Sequence, residues 1–394
     1  MPAPRSIAIA TGILGKGTET GVRRHVQHLF GGDTVVLAER VEPGFVPDRP
    51  AFVQYGGGGG PLAAVERAIG QGITSVRYGS SGVAFGRRRA ALDEFLAEHR
   101  VAAVLAEFGH IGANLAPVAQ AHGLPAYAYF RGFDASKRLQ SPRIVRRYRR
   151  AMPRLTGVIS VSRFLLDNLA AQGIEHPSSH VIPTGVDTEL FRPGDKDPHL
   201  VLAVGRIVPK KAPMVTIEAF AAVARDFPQH RLEIVGDGEM RGVCAERARA
   251  LGLAERIIFH GARDHSFVRE RLARASVFLQ HSVTDPEGNT EGLPTAVQEA
   301  MASGAAVVST YHAGIPEAVE PGVTGMLVAE HDSAGFAEAL RAVIAEPGRA
   351  EALGRTARAV AEERFDFRKL HARLEALIRQ DCARLGVQAP GETS

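Results

Sequence analysis

What most constrains this chain is a strand–loop–helix alternation that runs, stops at a polar break and starts again. Short β-branched or apolar runs stand at 6–10, 33–38, 101–106, 125–130 and 157–161. Segments of helical spacing at 21–30, 62–71, 87–99 and 163–172 stand between or after them, the last with Ser162 in N-cap position. The stretch 184–199 is polar and broken around Pro183, Pro193 and Pro198, so it reads as an interdomain linker. Strands then resume at 200–204, 231–235, 256–260, 276–280, 305–310 and 325–328. Apolar strands alternating with helices predict parallel sheets covered on both faces. A chain of 394 residues has room for two such domains. The expected architecture is therefore α/β, with two doubly wound Rossmann-like domains facing across a cleft. In such sheets ligands lie beyond the carboxyl ends of the strands.

The expected boundaries are 1–190 for a first domain and 191–365 for a second. A C-terminal helix at 366–386 then packs back on the first domain, and a disordered tail follows at 387–394. Five consecutive glycines at 56–60 exclude regular structure there. No apolar run reaches the ~18 residues of a membrane span. The first ten residues read as a strand, without the pattern of a signal peptide. Cys244 and Cys382 are the only cysteines, far apart, which excludes a disulfide framework or a CxxC metal site and fits a reducing cytosol.

The net charge of +4 is mild, but its distribution is not. Between Arg131 and Arg163 ten basic residues face one acid, Asp134. Within 141–154, Ile144, Val145 and Tyr148 interleave with arginines as a basic amphipathic helix. Two readings stay open for it: docking on an anionic membrane surface, or a solvated face. The expected location is cytoplasmic, with peripheral attachment at the inner face of the membrane under the first reading. Aromatics total 6% and do not interleave with the basic run, so no nucleic-acid partner is expected.

The candidate site centres on Glu291-Gly-Leu-Pro-Thr295 and Glu299. Pro294 suits a helix first turn, and Thr295 can open the helix with its hydroxyl and free amide. The backbone of Gly292, Leu293, Pro294 and Thr295 then leads into a helix end suited to an anion. Glu291 stands just ahead of that end and Glu299 about a turn inside it, where carboxylates grip hydroxyls. That combination suits a sugar nucleotide, with hydroxyls at both ends and charge in the middle. Arg206 and Lys211, after the strand at 200–204, can reach a diphosphate as a fork and a point charge. Gly236 and Asp237 end the next strand with close backbone approach, and the loop after His260-Gly261 completes the set.

These residues resemble the retaining family 4 of GT-B glycosyltransferases (glycosyl transferases group 1). The matching runs are VGRIVPKKAP at 204–213, IVGDGE at 234–239, IIFHGA at 257–262 and TEGLPTAVQEAMASGAAVVSTYHAGIPEAVEPGVTGMLV at 290–328. Upstream, VSRFLLDNLAAQGI at 161–174 and VIPTGVDTELFRP at 181–193 match as well. GTET at 17–20 and RGFDAS at 131–136 look nearest the branch that builds exopolysaccharides such as colanic acid.

The resemblance implies a role for each matched residue. Arg206 and Lys211 would hold the donor diphosphate, Glu299 the ribose hydroxyls, and Glu291 with the 292–295 backbone the transferred sugar. Gly17 and Thr18 would close over the phosphates, and the base would stack between the loop of Gly236 and Asp237 and Arg263. The implied donor is a nucleotide sugar, UDP-linked in preference to GDP-linked. The implied acceptor is a cell-envelope polysaccharide, a lipid-linked sugar or a small natural product. Transfer would be retaining, with the leaving phosphate taking the acceptor proton, and without a metal or other cofactor. Asp195-Lys-Asp197, the only Asp-x-Asp string, falls in the linker.

One departure stands out. The branch carries His before Gly-x-Asp, near the reacting centre, where this chain has Arg131. An arginine at pH 7 only donates hydrogen bonds, so Arg131 would stabilise a departing phosphate rather than exchange a proton. His110 and Asp134 are the candidates to line the acceptor side, and His312 reads as structural. The rival reading is a catalytically silent nucleotide-sugar-binding or membrane-scaffold protein of the same fold.

Overall fold

The computed structural model describes residues 5–16, 19–54 and 61–392, apart from the side chains at 61–63. Gly17, Thr18 and the glycine run at 56–60 lie outside the described residues. The chain divides into two compact units, Met1–Ile182 with His371–Ser394, and Pro183–Leu370.

The first unit is built on a sheet of β1 (Ser6–Leu14), β2 (Thr34–Val41), β3 (Ala51–Val53), β4 (Val101–Glu107), β5 (Ala126–Phe130), β6 (Gly157–Ser160) and β7 (Ser179–Val181). All pairings are parallel, in the order β3-β2-β1-β4-β5-β6-β7. Its helices are α1 (Thr20–His28), α2 (Pro61–Tyr78), α3 (Gly86–Glu98), α4 (Gly109–Ala121), α5 (Pro142–Ala151) and α6 (Arg163–Ala171). Every residue of β4 and β5 is buried, as expected of strands covered on both faces. Ser162 occupies the N-cap of α6, but its side chain makes no capping bond.

The second unit repeats the plan with β8 (Asp197–Val204), β9 (Arg231–Val235), β10 (Ile257–Gly261), β11 (Ala275–Leu279), β12 (Ala306–Thr310) and β13 (Gly325–Val328). The strand order is β10-β9-β8-β11-β12-β13, again parallel. Around it lie α7 (Pro213–Ala224), α8 (Arg241–Ala250), α9 (His265–Arg274), α10 (Thr295–Ala302), α11 (Ile315–Ala318), α12 (Ser333–Ala345) and α13 (Arg349–Val360). Phe220, Leu232, Val277, Val308, Phe336 and Leu340 fill its core.

The polar stretch at 184–199 is not a free linker. Val186 is fully buried, its N–H donating to Phe365 O at 2.8 Å and its carbonyl accepting from Phe367 N at 3.0 Å. Phe191 is buried as well. Apolar side chains scattered in a polar run find core sites that local composition does not announce. Asp197 opens β8 and pairs with Arg231 at 2.8 Å, while Lys196 caps the carbonyls of Leu272 and Ala275 at 3.2 and 2.7 Å.

The last helix, α14 (Phe367–Arg384), belongs to the first unit from His371 onward. There Tyr127 Oη donates to Asp381 at 2.7 Å, and Phe30 N–H donates to Glu375 at 2.7 Å. The described part of the segment beyond it, 387–392, packs on the first unit instead of standing as a disordered tail. Ala389 is buried and Gly391 N–H donates to Arg5 O at 2.9 Å, beside the start of β1. Among the described residues no helix is long and apolar enough to cross a membrane. In each sheet the order reverses beside the first strand, between β1 and β4 and between β8 and β11. Those two switch points are where ligands of doubly wound sheets sit.

Candidate active site

In the second unit the loops after β8 and β9 lie back to back. Gly205 N–H donates to Val235 O at 3.0 Å, Ile207 N–H to Asp237 O at 2.9 Å, and Gly236 N–H to Gly261 O at 2.9 Å. A Cβ on Gly236 would stand 1.9 Å from Gly205 O, and Gly236 holds a φ of +146°. Only glycine fits there. Gly236→Ala should therefore cost the second unit about 3 kcal/mol through overpacking and backbone strain together. Urea unfolding checks this, and a loss under about 1 kcal/mol would contradict the close approach.

The turn Pro209–Lys211 after β8 brings two ammonium groups to one carboxylate. Glu291 Oε1 lies 3.2 Å from Lys211 Nζ and 3.4 Å from Lys210 Nζ. Lys210 is the more buried, donates to Thr290 O at 3.3 Å, and was missed as a site residue in the sequence. Burial opposes the Glu291 charge, but Lys211 and Lys210 outweigh it and hold the carboxyl down to about 2. Burial likewise draws Lys211 below the usual lysine range, against the pull of Glu291.

The backbone of the Glu291 loop is fixed from behind. Glu291 N–H donates to His312 Nε2 at 3.0 Å, so Nδ1 of that ring carries the proton, which it gives to Glu330 at 2.6 Å. Glu330 also accepts from Thr284 N–H at 2.8 Å, and Gly314 N–H donates to Gly292 O at 2.8 Å. His312 is thus a positioning residue. Gln298, fully buried, accepts from Gly185 N–H at 3.1 Å and holds Leu293 O at 3.5 Å.

Pro294 is the N-cap of α10 rather than a first-turn residue, because its ψ of 127° is extended. Thr295 is the first helical residue, and the amides of Thr295 and Ala296 meet no acceptor among the described residues. Glu299 lies buried one turn inside α10. The structure thus gathers Lys211, Glu291, the 292–295 backbone and Glu299 at the switch point between β8 and β11.

Other expected residues stand around this centre. Arg206 is exposed and has no acceptor among the described residues, which leaves it free for an anion. Asp237 is engaged, accepting from Gly238 N–H at 2.8 Å and pairing with Arg241 at 3.2 Å. Arg263 is pinned to His260 O at 3.0 Å and lies over the Phe267 ring at 5.1 Å. It borders an open groove of about 760 Å³ that includes none of Arg206, Lys211 and Glu291.

In the first unit Arg131 is not a loose loop residue. Its Nε donates to Glu107 Oε2 at 2.7 Å, and its guanidinium lies 4.4 Å from the Tyr129 ring centroid. The other Glu107 oxygen pairs with His25 Nδ1. Burial opposes the Glu107 charge, and Arg131 and His25 outweigh it, keeping the carboxyl below its usual range. Burial also holds His25 below the ordinary histidine value despite Glu107. Glu107 ends β4 at the first unit's switch point, and Phe108 follows it at a φ of +89°, a strained value for a bulky residue.

Asp134 is fully buried, and its carboxylate accepts from Gly109, Arg131 and Gly132 N–H at 2.9, 3.0 and 3.0 Å. It staples the loop after β5 to the start of α4 and is not presented to an acceptor. His110, in the first turn of α4, is drawn down to about 4 by burial and by Arg138 and Arg147, so it is neutral at pH 7. Gly17 and Thr18 lie outside the described residues. Sequence reading missed Glu107 and His25. The one signal was an acid closing a buried run, since 82 positions separate the pair.

Two doubly wound parallel units, one with an anion cradle at its switch point, define the GT-B glycosyltransferase class. The comparisons agree. A model described as glycosyl transferases group 1 matches residues 187–360, and one described as glycosyltransferase family 4 matches residues 49–190. The amylovoran biosynthesis glycosyltransferase AmsK of Erwinia amylovora is 30% identical over 291 residues, 69% of this chain and 70% of that protein. The putative colanic acid biosynthesis glycosyltransferase WcaL of Escherichia coli K12 is 31% identical over 245 residues, 61% of this chain and 58% of that protein. HepE of Anabaena, solved in complex with UDP, shares the fold with a TM-score of 0.73 at 18% identity, covering 95% of this chain and all of that one. The chain belongs to the group 1, family 4 glycosyltransferases.

Proposed function

We propose that this glycosyltransferase takes a UDP-linked sugar and transfers it, with retention, to a cell-envelope polysaccharide or lipid-linked acceptor in the cytoplasm, without a metal. The observation that carries the donor reading is the ionised Glu291 held between Lys210 and Lys211 beside the open amides of α10. Arg206 and Lys211 would take the diphosphate and Glu299 the ribose. Glu291 with the 292–295 backbone would hold the sugar hydroxyls. UDP is preferred because HepE is solved in complex with both UDP and UDP-glucose. GDP is the alternative, since a 31% identical Mycolicibacterium smegmatis relative is described as GDP-mannose-dependent.

The bond from the anomeric carbon to the β-phosphate oxygen breaks. The acceptor oxygen bonds to that carbon on the same face, and its proton passes to the leaving phosphate. Ammonium and guanidinium groups stabilise the charge that builds on that phosphate.

Donor hydrolysis tests this without knowledge of the acceptor. With UDP-glucose, UDP-galactose and GDP-mannose in turn, one UDP-sugar should release UDP and, by proton NMR, first the α-anomer of the free sugar, equally well in EDTA. The β-anomer first would contradict retention, and loss in EDTA restored by a divalent cation would contradict metal independence. Nucleotide binding without release in the presence of any acceptor would favour the silent reading.

A further inference from the structure

Three polar groups of the first unit are buried without a partner, and they lie in one neighbourhood. Nδ1 of His110, Nε of Arg147 and the Tyr148 hydroxyl meet no hydrogen-bonding atom among the described residues. Tyr148 is fully buried, while His110 and Arg147 are half-buried. They come from different elements: His110 stands in the first turn of α4, just beyond β4, and Arg147 and Tyr148 on α5. The charges of Arg138 and Arg147 bear on both His110 and Tyr148, which brings the four together. Arg138 follows β5 and lies over the Phe133 ring, 5.0 Å from its centroid, with no acceptor for its guanidinium among the described residues. Native structures rarely bury a donor unsatisfied, so each such group needs an explanation.

The nearby acids do not serve as counter-ions. Asp134 is spent on backbone amides. Glu39, near the end of β2, accepts from the Asn114 amide at 3.4 Å and pairs with neither arginine. Burial holds its carboxyl above the usual range in spite of Arg40 and Arg138. Burial, then the charges of Arg143 and Arg138, draws Arg147 below the usual arginine range. Two half-buried guanidinium groups within each other's field, and without a paired acid, call for an anion from outside. The place suits a ligand, because β2, β4 and β5 end there and the order of the sheet reverses beside β4.

We propose that Arg138, Arg147, His110 and Glu39 form an acceptor subsite for an acidic sugar, one that carries a carboxylate or a phosphate. The guanidinium forks take the oxygens of the acid, and Glu39 and the neutral His110 ring take hydroxyls of the sugar. A neutral sugar leaves the arginines unpaired, and an inorganic anion leaves Glu39 without a donor. That this sugar is the acceptor rests on the transfer proposed above. Its binding does not, because none of the donor-site residues takes part.

Saturation-transfer NMR of the full chain tests it, with methyl glucoside, methyl glucuronide and glucose 6-phosphate as probes. One of the two acids should bind about tenfold more tightly than methyl glucoside, the scale of one hydrogen bond to a charged group. Preference for the glucuronide marks a carboxylate subsite, and preference for glucose 6-phosphate a phosphate subsite. Arg147→Gln and Arg138→Gln should each remove most of that preference and leave methyl glucoside unchanged. Arg146→Gln takes the same charge from an exposed position one residue away and should leave the preference intact. Circular dichroism of each variant verifies the fold. Acids that bind no better than methyl glucoside would overturn the proposal, as would glutamine variants at 138 and 147 that keep the parent's preference. An equal loss in Arg146→Gln would overturn it too, because a basic surface would then attract any anion. With a UDP-sugar present the preferred acid should accelerate UDP release, and binding without acceleration would contradict its role as acceptor. Acid binding in a protein that does not bind UDP would support the subsite and contradict the donor reading alone.

Discussion

A Glu107→Gln variant is expected to lose about 3–5 kcal/mol of stability in the first unit, a fall of about 10 °C in its melting midpoint. The substitution keeps the shape and removes only the charge. What remains is the Arg131 guanidinium, 14% exposed at its side chain, with its counter-ion gone. His25 loses its charged acceptor in the same step. Desolvated cations that lose their counter-ion are costly because the interior cannot replace the water they gave up. Adding Arg131→Met, which removes the stranded charge, should restore most of the loss. Scanning calorimetry of the single and double variants reads both numbers. A single variant that melts within about 2 °C of the parent would mean that water reaches the pair and screens it.

Lys211→Ala should instead leave the fold in place and remove turnover. Glu291 keeps Lys210 at 3.4 Å, so its carboxylate retains a partner. What disappears is the ammonium proposed above to meet the leaving diphosphate. Transfer, read as kcat/KM, should fall about 1,000-fold, the scale for removing one preorganised charge donor from a transition state. Lys210→Ala should differ in kind, because Lys210 is buried and holds Thr290 O. Its larger effect should fall on stability. Equal activity losses for the two lysines, with neither destabilised, would contradict this division of roles.

The contrast shows what could be read in the chain beforehand. The doubled alternation and the Glu291–Glu299 helix were legible because each rests on a pattern within a few residues. Gly236 is informative in sequence since a backbone approach of that kind admits no other residue. Glu107 and His25 were not legible, because their pairing comes from the topology that sets β4 beside β1 and carries α1 over that edge. The order of 387–392 was hidden similarly, since it depends on contact with Arg5 at the other end of the chain. Asp134 looked like a residue for an acceptor because it is an acid in a family motif. Its carboxylate is wholly used by backbone amides, which the motif alone does not reveal.

The most direct measurement is a calorimetric titration of the protein, and of its Lys211→Ala variant, with UDP, GDP and ADP. The account predicts heat from UDP binding at one site, markedly weaker binding in the variant, and little from ADP. No binding of any of the three to the parent would contradict the assignment of Arg206, Lys211, Glu291 and Glu299 as a nucleotide-sugar site.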